Sequence, residues 1–356
     1  MIVLVSMHTH IMEGPEDLQD LSRIYDRTAQ EQLALGREFA RQTLQAGVTS
    51  ARSTGTYIFS VSRSLRDEIK QGLSVGPRLR VADFYLTIPG GGGDLIVPGI
   101  PESEIPARLR TGVARGPDEF RRKAEFAVSE GADFLKIIAS GAVLSFGGVP
   151  AEPEMTPEEI AAVVEVARTA GLKVAAHAHS AQSIREAILA GVDTIEHATY
   201  IDAEGIAMAI EHEVGLVMDV YNGDYAAELG KSLSWPEEFL RKMAETTDIQ
   251  RVNFTLAHAA GATIVFGSDA GVYPHGIAPI QFPIMVREGM TPMEVIQSAT
   301  SVAAEYLGWS DRVGAIAPGL LGDLIAVPGN PLDDITILQD VPVVIQGGHA
   351  FKLPAE

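Results

Sequence analysis

The chain has 356 residues, with 27 Lys+Arg against 47 Asp+Glu, a net charge of −20, nine His and no Cys. The lack of cysteine excludes a disulfide framework, Cys-ligated zinc, a thiol nucleophile and a redox pair. So acidic a chain does not suit a nucleic-acid partner, whose grip comes from Lys and Arg neutralising phosphates, and no run reaches the about 20 apolar residues of a membrane span.

Met1-Ile2-Val3-Leu4-Val5 is too short for the apolar region of a signal peptide and has no basic flank, so a cytoplasmic location is expected. Ile2 to Met7 reads as a buried strand ending in His8-Thr9-His10. A helix over Ala29 to Gln45, a Gly47 stop and a second strand to Arg52 follow. A third strand, Arg78 to Thr87, runs into Pro89 and the glycines Gly90 to Gly93, which open a long loop toward Pro117. The next units are a helix Glu119 to Glu130 with a strand Asp133 to Ile138, then a helix after Thr156. Thr156 and Glu159 form a capping-box pair, with Pro157 at the first helical position. Strands Leu172 to Ala176 and Val192 to Ile195 end in His177-Ala178-His179 and Glu196-His197, with a helix Ile184 to Leu189 between them. A helix Ala203 to Glu213, a strand Leu216 to Tyr221, a long helix Pro236 to Ala260 and a strand Ala262 to Gly267 complete the series, ending at Ser268-Asp269.

Eight strands alternating with crossover-length helices predict an α/β fold closed into a (β/α)8 TIM barrel. The tail from Gly314 changes character, with Val, Ile, Pro and Gly and an alternating stretch from Asp340 to Lys352. It reads as strands of a small appendage, giving a barrel over residues 1–312 and a β-rich domain over 313–356.

Barrel enzymes hold their chemistry at the C-terminal ends of the strands. Those ends carry His8, His10, Lys136, His177, His179, His197 and Asp269, and five of the nine histidines are among them. Singly, each has a plainer role: a satisfied core histidine, or for Asp269 a helix cap. His8 and His10, two apart on a strand, share a side and can bind one ion together, and His177 with His179 repeats the spacing. Lys136, inside Phe134-Leu135-Lys136-Ile137-Ile138, is expected to be buried. There an ammonium is costly unless it is paired, deprotonated or chemically modified.

This ordered set resembles the amidohydrolase superfamily of metal-dependent hydrolases on a distorted (β/α)8 barrel. The wording around His177, Ala190-Gly191-Val192-Asp193-Thr194-Ile195-Glu196-His197 and Gly267-Ser268-Asp269 is similar to its peptidase-like branch. That branch includes imidazolonepropionase-related proteins, Xaa-Pro dipeptidases and ochratoxin amidases. The resemblance implies two divalent metal ions, most often zinc, one on His8, His10 and Asp269 and the other on His177 and His197. A carboxylated Lys136 and a hydroxide would bridge them. Asp269 would carry the proton from nucleophile to leaving amine, and His179 would hydrogen-bond the substrate. The implied reaction is hydrolysis of a small amide, a dipeptide or an N-acyl amino acid. Arg52, His179, Tyr221 and His275 are the candidates for its carboxylate. Esters, lactones or organophosphates are alternative substrates for the same site, and an inactive barrel serving as a binding subunit is a second alternative.

Two departures from the family pattern stand out. Family members carry sandwich strands before the His-x-His pair, whereas seven residues precede His8 here. The appendage is therefore expected to be an incomplete β-sandwich whose unpaired edge favours a homo-oligomer. Related sequences often place a His in the loop after the third strand, where this one has Gly90-Gly91-Gly92-Gly93-Asp94.

Overall fold

A computed structural model describes residues 3–354; the strand expectation at Ile2 and the last two tail residues lie outside them. Seven barrel strands are regular: β1 Leu4–Thr9, β2 Val48–Ser53, β3 Arg78–Val81, β4 Leu135–Ile138, β5 Val174–Ala178, β6 Thr194–His197 and β7 Gly215–Val217. They pair in parallel as β1-β2-β3 and β4-β5-β6-β7. Two irregular stretches complete the ring. Beyond β3, Leu86 bonds to both sides of Lys136, accepting from Ile138 N and donating to Lys136 O at 2.9 Å each. The eighth stretch, 262–270, joins β7 through Leu216 N to Thr263 O, and β1 through Met7 N to Phe266 O. The barrel is therefore closed but distorted, because its third and eighth positions hold few ladder bonds.

Local sequence explains most of the helices. Ala29–Gln45 and Pro157–Ala170 each open with a full capping box, Thr28 with Glu31 and Thr156 with Glu159. The second of these ends on Gly171 in the left-handed region, φ 69°, as a glycine C-cap should. A helix at Val61–Lys70 has no counterpart in the sequence reading. Its N-cap, Ser60, makes no side-chain cap bond, so no start signal exists to be read. The helix expected at Glu119 starts earlier, at Gly116, with Pro117 in its first turn. The seventh strand is shorter than read, stopping at Val217 rather than Tyr221.

The tail forms the expected small sheet, antiparallel in the order β10-β9-β8, with β8 Leu324–Ala326, β9 Val343–Gln346 and β10 His349–Lys352. Gly347 (φ 59°) and Gly348 (φ 81°) make its two-residue hairpin, where both central residues need positive φ. The sheet rests on the bottom of the barrel: Gln346 Nε2 donates to Thr49 O at 2.8 Å, and Asp323 pairs with Arg78 on β3. Among the described residues no helix is long and apolar enough to cross a membrane.

A candidate metal centre at the strand ends

The parallel register sets the chemistry side by side. Lys136 lies opposite Ala175, Ile138 opposite His177, and Ala178 opposite His197. The barrel closure brings β1 against the eighth stretch, so that His8 Nε2 and His10 Nε2 each lie 3.2 Å from Asp269 Oδ1. His8, His10 and Asp269 thus form one group whose ligand atoms lie within 4.8 Å of one another, and His177, His179 and His197 form another. His179 therefore sits within ligand range of both His177 and His197. All seven strand-end residues line one cavity of about 140 Å³ that opens to solvent.

The chain holds these rings from behind. His8 Nδ1 donates to Glu196 Oε2 at 2.6 Å, and His197 Nδ1 donates to Asp219 Oδ1 at 2.6 Å. His10 Nδ1 donates to the Tyr85 hydroxyl at 2.9 Å, and His179 Nδ1 pairs with Thr199 Oγ1 at 2.7 Å. In each case the Nδ1 is occupied and the Nε2 is turned to the centre, an arrangement characteristic of metal-binding histidines. Asp219, Tyr85, Thr199 and Glu196 were not identified in the sequence as site residues. Asp219 had a usable signal, a carboxylate just beyond a strand end, but reading the strand on to Tyr221 hid it.

Electrostatics agree with a site built for cations. Burial pulls the Lys136 ammonium down to about 8, partly offset by Glu196. Burial also drives His197 down to about 3 and His177 well below its ordinary value, so both rings are neutral and able to ligate at pH 7. Burial alone would raise the Asp269 carboxyl, but His8 and His10 overcome it and hold the group well below the usual range. The backbone is strained at the same places: His197 (φ 71°), Ala198 (φ 51°) and Asp269 (φ 53°) sit in the left-handed region without being glycine. Each costs on the order of 1–3 kcal/mol, a cost that persists where the surrounding structure imposes it.

The donor set fits a metal ion by a direct test. His8 Nε2, His177 Nε2, Lys136 Nζ and Asp269 Oδ1 are buried in this wall without a well-formed hydrogen bond, although His8 Nε2 and Asp269 Oδ1 face each other at 3.2 Å. Four such atoms in one place would be costly in a site meant to stay metal-free.

Three of the four residues expected to hold a substrate carboxylate are not brought to the cavity wall. Arg52, 2 % exposed, lies beneath the site and donates to Glu196 Oε1 at 2.6 Å, Thr194 Oγ1 and Met7 O. It is the counter-ion of the acid that orients His8. Tyr221 packs its ring against Tyr273, 5.0 Å between centroids. His275 is fully buried, stacked on Phe39 and bonded through Nε2 to Glu13 O at 2.8 Å. Only His179 stands in the wall.

The Arg52–Glu196 pair yields a stability prediction. Removing one partner of a fully buried pair strands the other charge, at a cost of about 3–5 kcal/mol. Glu196→Ala is expected to lower the denaturant midpoint of the metal-free protein accordingly. A shift too small to resolve would show that Arg52 is held by its other two partners alone.

The amidohydrolase family model matches residues 2–349. An ochratoxinase from Aspergillus niger is 30% identical over 338 residues, covering 88% of this chain and 67% of that protein. The crystal structure of a Xaa-Pro dipeptidase with bound methionine in the active site superposes with a TM-score of 0.92 at 35% identity, over 99% of this chain and 86% of that one. The A. niger ochratoxinase crystal structure gives a TM-score of 0.85 at 28% identity, over 100% of this chain and 83% of that one. With the fold, the strand-end residues and the family match in agreement, the chain belongs to the amidohydrolase family.

Proposed function

We propose that this protein is a metal-dependent hydrolase that cleaves a small amide bond, of a dipeptide or an N-acyl amino acid. The observation that carries the reading is the convergence of four buried ligand atoms without well-formed hydrogen bonds in one cavity, backed by histidines whose other nitrogens are already bonded. One divalent ion, zinc by the all-nitrogen and oxygen donor set, would be held by His8, His10 and Asp269, and a second by His177 and His197 with Lys136 shared between them. When bound, the pair supplies Lewis acidity that acidifies water and polarises a carbonyl.

The chain's own residues do the rest. Asp269, kept ionised by its histidine neighbours, accepts the proton of the attacking water and delivers it to the leaving nitrogen. His179, fixed by Thr199, presents Nε2 to the substrate carbonyl or carboxylate. Lys136, with an amine available near neutral pH, adds to carbon dioxide with loss of a proton. This would turn a buried cation into an anionic group able to serve as a metal ligand. The dipeptidase and the ochratoxinase among the similar proteins support amide substrates. A panel of dipeptides, N-acyl amino acids, lactones and aryl esters, assayed with zinc and bicarbonate, tests the reading. Turnover of the amides supports it; turnover of esters or lactones alone would move the protein to the alternative class.

A further inference from the structure

Besides the four ligand atoms, two buried polar atoms in the cavity wall lack a partner, Glu13 Oε1 and Asn222 Oδ1. Both are acceptors. The other uncharged polar side chains facing this side of the cavity are already spent on backbone: Thr246 donates to Lys242 O, Thr247 to Met243 O and Gln250 to His197 O. Asn222, 6 % exposed, differs. Its Nδ2 donates to Asp219 Oδ2 at 2.5 Å and to Asp269 Oδ2 at 2.6 Å. Two carboxylate acceptors fix which end of the amide is nitrogen, and both its hydrogens are used. The planar group therefore turns a carbonyl oxygen, able only to accept, away from the two acids.

We propose that Asn222 Oδ1 accepts a hydrogen bond from the N–H of the scissile amide, making the substrate class secondary amides rather than prolyl amides or esters. The inference rests on the amide-hydrolase reading and deepens it. Asn222 is bonded directly to Asp269, the group assigned to the leaving nitrogen, so its side chain lies one hydrogen bond from the group that serves the breaking bond. A leaving residue with an N–H satisfies an acceptor that is otherwise buried and unpaired. A proline nitrogen has no hydrogen to give, and an ester oxygen would set two acceptors against each other. The chain is similar both to a Xaa-Pro dipeptidase and to an ochratoxinase, and this contact predicts discrimination against the Xaa-Pro bond.

The test uses zinc-loaded protein, wild type and Asn222→Ala, with metal content and melting temperature measured on both. Each is assayed on an N-acyl amino-acid secondary amide, on its prolyl counterpart and on the ester of the same acyl group. The wild type is expected to prefer the secondary amide over the prolyl one. Asn222→Ala is expected to lose about 10-fold or more in kcat/KM on the secondary amide beyond its loss on the ester, the usual effect of one buried hydrogen bond to substrate. Equal losses on amide and ester would reduce Asn222 to a positioning residue for Asp219 and Asp269 and overturn the proposal. A binding measurement does not depend on turnover. A phosphonamidate with a P–NH link is expected to bind wild type about 10-fold tighter than its P–O ester, the gap closing in Asn222→Ala; equal binding in wild type also overturns it. Failure of the protein to hydrolyse any of the three substrates would fail the amide-hydrolase reading itself, and the proposal with it. Hydrolysis without N–H discrimination fails the proposal alone.

Discussion

On the proposed reading, Lys136→Ala is expected to abolish metal loading and to lower kcat/KM by about 10³-fold or more, since it removes the proposed carboxylated bridge. The reason lies in the strand. Lys136 is 2 % exposed, its Nζ has no hydrogen-bond partner, and burial pulls it down to about 8. A structural lysine would instead be paired with a carboxylate. The metal-free Lys136→Met protein should be as stable as the parent or more so, because an unpaired ammonium has been exchanged for an apolar chain of similar length. Short carboxylates added to Lys136→Ala should restore part of both loading and activity by occupying the place of the carboxylated side chain. Normal metal content and normal hydrolysis in Lys136→Ala would remove the bridge from the account.

Asp269→Asn separates proton transfer from shape. The substitution is nearly isosteric, but its single oxygen can face either the histidines or Asn222 Nδ2, and it abolishes the acceptor for the proton of water. A loss of about 10²–10⁴-fold in kcat is expected, the range for deleting a general acid–base group. Burial is opposed at this carboxyl by His8 and His10, which keep it ionised across the neutral range. A variant retaining a tenth or more of the wild-type kcat would place the proton carrier elsewhere, with Asp219 next to be tested.

The strand-end residues that meet in the cavity were legible in the sequence because barrel chemistry sits where strands end, and strand ends are marked by apolar runs that stop. His8, His10, Lys136, His177, His179, His197 and Asp269 all stand in one cavity wall. Groups that act through a second residue were less legible. Glu196 and Arg52 each look like a charge in an apolar strand; their bond spans 144 residues, and only barrel closure reveals that they neutralise each other. Arg52 accordingly looked like a substrate clamp and is a support for His8. His275 shows the same limit, since a loop histidine faces outward or inward according to packing against Phe39, which sequence order does not express. Asn222 carries no signal of its own in the sequence, since an Asn after a strand is a common turn residue. Its significance comes from the two carboxylates that hold its amide in one orientation. The irregular third and eighth strand positions were read as ordinary strands, since β-branched runs do not report how many ladder bonds form.

The most direct test of the account is elemental analysis of the purified chain after reconstitution with zinc and bicarbonate. The account predicts close to two divalent ions per chain, with hydrolysis of small amides that is lost on chelation and regained on re-addition. A folded protein that hydrolyses these amides equally well with no metal bound would contradict it.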